Sequence, residues 1–251
     1  MEDLSVYRFE TKVDSSDADA GGRAKLTALM KYFQDAAWAH YKCFERKGGR
    51  VLDAGTAWVV SKANVGIERM PIWEEELVVA TWLPGFEGFY PLRNFEIKTA
   101  GGALIARAAF AWLIINTAEK KPVRPGEFAK IWPIKETGIL RSVKGRVEKP
   151  ENPEIRGHFK VKYSDIDVNG HANNTGYIKW MLDCYDYEFI LENEPKELIV
   201  NFARDCVWGD EVDAGFEAVD GALAAFRHNI INTNTGRELC RAKLLWKKSP
   251  R

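Results

Sequence analysis

Apolar residues recur three and four positions apart between Leu26 and Arg46. Leu26, Leu29, Met30, Phe33, Ala37, Trp38 and Tyr41 fall on one stripe. That spacing predicts the buried face of an amphipathic helix, and Gly48-Gly49 is placed to stop it. The period then changes. Trp58–Ile67, Glu76–Leu83, Phe89–Thr99 and Leu104–Asn116 are rich in Val, Ile, Trp and Phe. Pro71, Pro84-Gly85 and Gly101-Gly102 separate them, so four strands are expected. The succession then returns. His158–Tyr163 reads as a strand and Asn174–Glu192 as a helix, with Ile178, Met181, Leu182, Tyr185 and Phe189 inward. Asn173 or Asn174 is its expected cap. Leu198–Val207, Val212–Val219, Leu223–Asn232 and Glu238–Trp246 follow as strands.

The two halves also match residue by residue. Laid without a gap, Asp19–Asp35 over Asp167–Asp183 aligns Asp19 with Asp167, Gly22 with Gly170 and Ala24 with Ala172. Thr27 meets Thr175, Lys31 meets Lys179 and Asp35 meets Asp183. Upstream, FETK from Phe9 echoes FKVK from Phe159 with a shift of two. The chain is therefore read as an α+β tandem repeat: an N-terminal unit over 1–120, a linker over 121–150 and a C-terminal unit over 151–251. In each unit an antiparallel sheet accompanies one long helix. A lone sheet of this kind leaves an open edge, and a fused tandem would act as its own dimer.

The second unit carries Asp165-Ile-Asp167-Val-Asn169-Gly-His171-Ala-Asn173-Asn174, running into Thr-Gly-Tyr-Ile-Lys-Trp. This segment resembles the acyl-ACP thioesterase family, whose members carry D-x-D-x-N-x-H-x-N-N ahead of a helix, and the helix-then-strands plan extends the likeness over nearly the whole chain. The resemblance implies a tandem double hotdog fold and hydrolysis of a fatty acyl thioester of acyl carrier protein, ending chain elongation. It places Asp167, Asn169 and His171 on the family's site positions. The family's further element is a Glu-Cys pair on the strand after the helix. Here that place reads Arg204-Asp205-Cys206, with a carboxylate one methylene shorter.

Thioester hydrolysis needs an activated nucleophile, a proton carrier and a place for the developing oxyanion. Asn169 can hold water or the thioester, and His171 can move a proton near neutral pH. The helix start near Asn174 offers backbone N–H groups to an oxyanion, and Asp167 is read as orienting Asn169 or the turn itself. Two readings of the last pair stay open. Adjacent strand residues face opposite ways. Either Asp205 serves as base or nucleophile, which is the reading favoured, or Cys206 is a nucleophile activated by His171. In the first unit Gly21 and Arg23 stand where Asn169 and His171 are in the second. One site per chain is therefore expected. The first unit would line the acyl-chain pocket, with Leu29, Phe33 and Trp38 as candidate walls and ordinary core as the competing assignment for each.

Composition narrows the function further. Lys+Arg and Asp+Glu both number 36, so no global field favours nucleic acid or an anionic membrane. The apolar run Ala103–Ile115 is broken by Arg107 and is too short to span a bilayer. The N-terminus lacks a basic start with an apolar run, so no signal peptide is expected. Four scattered cysteines without CxxC argue against disulfides and a Cys-based metal site, and fit a cytoplasmic setting. No cofactor and no metal are expected. Cys43, Cys184 and Cys240 are read as small buried hydrophobes, and His40, His158 and His228 as structural or surface residues. Residues 119–149 hold nine Lys/Arg against four Asp/Glu, a net of +5. That is a candidate docking surface for the acidic carrier protein, set against a plain solvated connector. Acyl-CoA hydrolysis, a non-catalytic acyl-binding hotdog and a dehydratase are the rival functions. A homodimer of double-hotdog chains is a further expectation.

Overall fold

The computed structural model describes residues 4–47, 52, 54–126, 128–219 and 224–249. The predicted stop at Gly48-Gly49 and the predicted strand start at Leu223 lie outside them. The first repeat runs β1 (Tyr7–Lys12), α1 (Leu26–Arg46), β2 (Thr56–Ile67), β3 (Glu76–Glu87), β4 (Tyr90–Thr99) and β5 (Leu104–Asn116). A short β6 (Lys121–Val123) and a one-turn α2 (Phe128–Ile131) follow. The second repeat runs β7 (Glu154–Lys160), α3 (Asn174–Leu182), α4 (Tyr187–Glu192), β8 (Asn193–Phe202), β9 (Glu211–Ala218), β10 (Ala225–Asn232) and β11 (Arg237–Lys248).

All eleven strands join one antiparallel sheet in the order β1-β3-β4-β5-β2-β8-β11-β10-β9-β7, with β6 beside β5. Read from either outer edge, the two halves have the same order. They meet where β2 pairs with β8, and Asn64 opposite Ile199 sits at the centre of that pairing. The edges that two separate units would expose are thereby paired with each other, which removes a route to aggregation. This is the tandem double hotdog of the sequence reading. α1 packs on β1 and β3, α3 packs on β9 and β10, and the two helices touch. One apolar core runs through both repeats, with Tyr32, Phe33, Phe95, Phe110, Tyr177 and Trp180 fully buried.

The repeat is preserved in its hydrogen bonds. Val13 N donates to Glu75 O as Val161 N donates to Asp210 O. Ala24 N donates to Pro71 O as Ala172 N donates to Cys206 O. The equivalence is ungapped back through Val13 and Val161, so the two-residue FETK/FKVK shift has no structural counterpart.

Further expectations need correction. The predicted strand His158–Tyr163 instead spans Glu154–Lys160. The predicted helix Asn174–Glu192 is two helices, broken between Leu182 and Tyr187. Asp183 takes the cap of the first and Asp186 the start of the second. The predicted strand Leu198–Val207 instead spans Asn193–Phe202 and ends before the Arg204-Asp205-Cys206 triplet. Trp38 faces outward, 54% exposed, and stacks on Tyr41 under the Lys42 ammonium. It is no pocket wall, whereas Leu29 and Phe33 are closed core. The helical stripe placed Trp38 one position too far round α1.

The segment between the repeats is strapped across the sheet. Phe128 and Trp132 are buried against Tyr41, Phe44, Leu83 and Ile114. Sheet asparagines then hold the backbone. Asn94 Nδ2 donates to Gly138 O (3.0 Å), Asn64 Nδ2 to Ser142 O (2.8 Å), and Asn201 Oδ1 accepts from Val147 N (2.6 Å). Arg141 fills the space over Gly66, where any Cβ would collide with its guanidinium, and pairs with Glu197. A plain solvated connector does not describe this segment.

Candidate active site

The motif forms a tight turn ahead of α3. Asp167 N donates to His171 O (2.8 Å) and Gly170 N to Asp167 O (3.0 Å), while Asp167 Oδ1 accepts from Asn169 N (2.8 Å). Gly170 has φ +78°, a left-handed conformation suited to glycine. Asp167 thus holds the turn through a side-chain-to-backbone bond of the Asx type. Asn173 caps α3: its Oδ1 accepts from Thr175 N (2.9 Å) and Thr175 Oγ1 (2.8 Å). The first repeat builds the same turn, with Asp19 Oδ1 accepting from Gly21 N (2.8 Å) and Gly22 at φ +75°.

The turn delivers His171 to Asp205. His171 Nε2 lies 2.9 Å from Asp205 Oδ2. The same oxygen accepts from Lys120 Nζ at 2.9 Å. Lys120 comes from the β5–β6 turn of the other repeat, so the cluster spans the repeat boundary. Partial burial alone would raise the Asp205 pKa. The Lys120 hydrogen bond and the nearby His171 outweigh that and hold its carboxyl below the usual range.

Cys206 looks the other way. It is buried, and its Sγ lies 3.2 Å from Tyr177 Oη, its hydrogen-bond partner among the described residues. Burial pushes the thiol up to about 11, and nearby carboxylates add to the shift. A thiol in that state is a poor nucleophile at neutral pH. The two residues do face opposite sides, but not through strand alternation. Ala203 N and Arg204 N both donate to Leu239 O, and the chain leaves the sheet there. Cys206→Ala should keep kcat within about threefold of wild type, because only a buried methylene-sized sulfur is lost. Loss of all turnover with the fold intact would restore the thiol as nucleophile.

Asn169 stands at the exposed apex of the turn. Its amide makes no hydrogen bond to His171 or Asp205 within the described residues. The structure therefore joins His171 and Asp205, sets Asp167 in the turn beneath them, leaves Asn169 at the rim and turns Cys206 into the core. Lys120 carried no site signal in the sequence beyond its place in a basic run. Tyr177 was hidden in the motif's TGYIKW continuation.

In the first repeat the corresponding positions are Gly21, Arg23 and, by the matched Pro71/Cys206 bond, Met70. Imidazole and carboxylate are both gone. Arg23 instead reaches into the second repeat, donating to Ile190 O (2.9 Å), Leu191 O (3.2 Å) and Ser249 Oγ (2.7 Å) while paired with Asp19 (3.2 Å). It satisfies carbonyls at the end of α4, where a cation is favoured.

Elsewhere, His40 and His228 are fully buried, and desolvation depresses both to about 3. His158 pairs with Asp213 at 2.7 Å. Cys184 and Cys240 are buried as expected, Cys43 only partly, and all four cysteines are free.

The fold and this site define a class. Solved structures share the architecture over nearly the whole chain, among them two acyl-ACP thioesterases. They are an acyl-ACP thioesterase from Bacteroides thetaiotaomicron (TM-score 0.85, 21% identity, covering 98% of this chain and all of that one) and a 12:0-ACP thioesterase from Umbellularia californica (TM-score 0.85, 18% identity, 99% of each). The family model for the acyl-ACP thioesterase N-terminal domain matches residues 5–130, and that for the acyl-ACP thioesterase C-terminal domain matches 148–248. The chain belongs to the acyl-ACP thioesterase family. Among its relatives, an acyl-[acyl-carrier-protein] hydrolase of Cuphea viscosissima is 25% identical over 98% of this chain. An oleoyl-acyl carrier protein thioesterase of Arabidopsis thaliana is 24% identical over 85%. The chain spans 64% and 63% of their respective lengths.

Proposed function

We propose that the chain hydrolyses fatty acyl thioesters of acyl carrier protein through a His171–Asp205 dyad. The 2.9 Å contact between His171 Nε2 and Asp205 Oδ2 carries the reading. With Nε2–H kept toward the carboxylate 2.9 Å away, the ring presents Nδ1 as an acceptor for a proton from water. The attacking oxygen then forms the C–O bond, the C–S bond breaks, and the proton held by His171 passes to the leaving thiolate. Asp205 stabilises the imidazolium between those steps. The sequence reading favoured Asp205 itself as base. A carboxylate held below its usual range by an ammonium is a weak base at neutral pH, so the geometry suits it better to orienting His171.

The oxyanion site narrows to few donors. Asn173 already satisfies the N–H groups of Thr175 and Gly176. Asn174 N–H is the first-turn donor without a hydrogen bond within the described residues. Asn169, at the turn apex, is placed to hold the thioester or the water from the solvent side. The charged carrier would approach over this rim, where Val207 and Trp208 are exposed directly after Cys206. Lys121 and Arg124 lie on the neighbouring repeat just beyond Lys120. Reversing both charges should raise the apparent KM for acyl carrier protein about tenfold with little change in kcat, since rim charges act on encounter. An unchanged KM would remove this surface from the account.

No helix among the described residues is long and apolar enough to cross a membrane. A cytoplasmic place of action and pairing of two chains belong to this proposal. The test of the activity is release of free fatty acid from acyl carrier protein thioesters by wild type and by His171→Ala. Wild-type turnover that survives loss of the imidazole would refute the dyad.

A further inference from the structure

Resting on that reading, we infer that Lys120 is a positioning residue for the site: the first repeat, having no dyad of its own, lends the second an ammonium that fixes the Asp205 carboxylate against His171. Two independent features support this. The first is the contact itself, which crosses 85 residues of chain and lands on the same carboxylate oxygen that His171 uses. The Lys120 hydrogen bond to Oδ2, with His171 Nε2 facing the same oxygen at 2.9 Å, biases the carboxylate toward the imidazole.

The second feature is the backbone. Lys120 has φ +53°, one of three described non-glycine residues with positive φ. The turn around it is tightly made: Asn116 Oδ1 accepts from Ala118 N (3.0 Å) and Glu119 N (2.9 Å), and Asn116 then pairs with Lys121 across the β5–β6 hairpin. A left-handed residue closing such a loop is ordinarily glycine or asparagine. Lysine keeps its long side chain there at a cost in backbone energy, and the side chain is spent on Asp205. Conformational strain of this sort collects at functional positions.

The other charged neighbours do not take its place. Arg204, adjacent to Asp205 in sequence, donates to Glu238 O (2.9 Å) instead. Tyr177, from α3, hydrogen-bonds Cys206 and the carbonyl of Arg204. Asp210 Oδ2 accepts from Val207 N (3.0 Å). Lys120 and His171 are therefore the partners through which Asp205 is held. The arrangement also mirrors the far end of the molecule, where Arg23 ties the first repeat to Ser249 and the end of α4. A cation crosses between the repeats at each place: Arg23 serves structure, and Lys120 serves the site.

The test compares wild type with Lys120→Met, Lys120→Arg and Lys120→Gly. Glycine suits φ +53° and removes the ammonium without risk to the turn. With acyl carrier protein thioesters, kcat should fall about tenfold in the Met and Gly variants, KM should change less than twofold, and Arg should restore most of the rate. The same loss should appear with a small neutral thioester, which has no acidic carrier to dock. The Asp205 carboxyl, followed by carbon-detected NMR, should titrate at higher pH, because removing a cation raises the pKa of the carboxylate it faced. A rise in KM alone, confined to the carrier-bound substrate, would overturn the proposal and make Lys120 a docking charge. If wild type hydrolyses no thioester, the functional reading fails, and carbon-detected NMR titration of the Asp205 carboxyl decides this one. An upward shift in Lys120→Gly supports it, and an unchanged titration refutes it.

Discussion

Asp205→Asn is expected to lower kcat by about 10²- to 10⁴-fold with KM for the acyl carrier protein thioester nearly unchanged. The amide is isosteric, so the loop after β8 should keep its shape. It can still approach His171 Nε2, but as a neutral group that offers either N–H or C=O. An amide N–H would force the wrong tautomer, and an amide oxygen would not balance the positive imidazolium. Lys120 would lose its anion at the same time. Steady-state kinetics with circular dichroism as a fold control checks this. Retained turnover in Asp205→Asn, together with inactivity of Cys206→Ala, would move the chemistry to the thiol despite its burial.

Arg23→Ala is expected to cost about 3 kcal/mol of stability while leaving kcat close to wild type. The guanidinium side chain is only 14% exposed and serves Asp19, the carbonyls at the end of α4 and Ser249. Removing it leaves several acceptors without their donor and the Asp19 carboxylate without its counter-charge. For a chain of this size that loss should lower Tm by roughly 6–12 °C. Thermal unfolding followed by circular dichroism reads it directly. A Tm within a degree of wild type would show that the two repeats do not depend on this tie.

The fold was legible because its signals were long and repeated. The α1 stripe runs from Leu26 to Tyr41, and the strand spans are marked by their own Gly and Pro residues. The ungapped match from Asp19 to Asp35 onto Asp167 to Asp183 reappears as the same turn hydrogen bonds in both repeats. The errors fall where periodicity gives no guidance. Asp183 and Asp186 flank a break in the second helix that the apolar stripe through Tyr185 passes over. The end of β8 is set by a tertiary bond, with Ala203 and Arg204 both donating to Leu239 O, and no local residue announces it.

The site was legible in half. Asp167 and His171 came from one contiguous motif, and the turn explains their spacing. Asp205 came from a family position 34 residues further on, and the structure supplies what no spacing could, its contact with the imidazole. Cys206 looked chemically active because it falls on the Cys of the family's Glu-Cys pair. Burial and Tyr177 make it a core residue, and local sequence does not encode that. Lys120 was reached only as a member of the basic run 119–149. The contact proposed to matter crosses two repeats, and the left-handed backbone is invisible until the hairpin is built.

The most direct test of the central claim is to measure free fatty acid released from a panel of acyl carrier protein thioesters by wild type, alongside the same acyl chains on coenzyme A. The account predicts turnover on at least one carrier-bound chain length, higher kcat/KM on acyl carrier protein than on coenzyme A, and loss of that turnover in Asp205→Asn. Tight binding of acyl carrier protein thioesters with no release of fatty acid at any chain length would contradict it and leave an acyl-binding protein in its place.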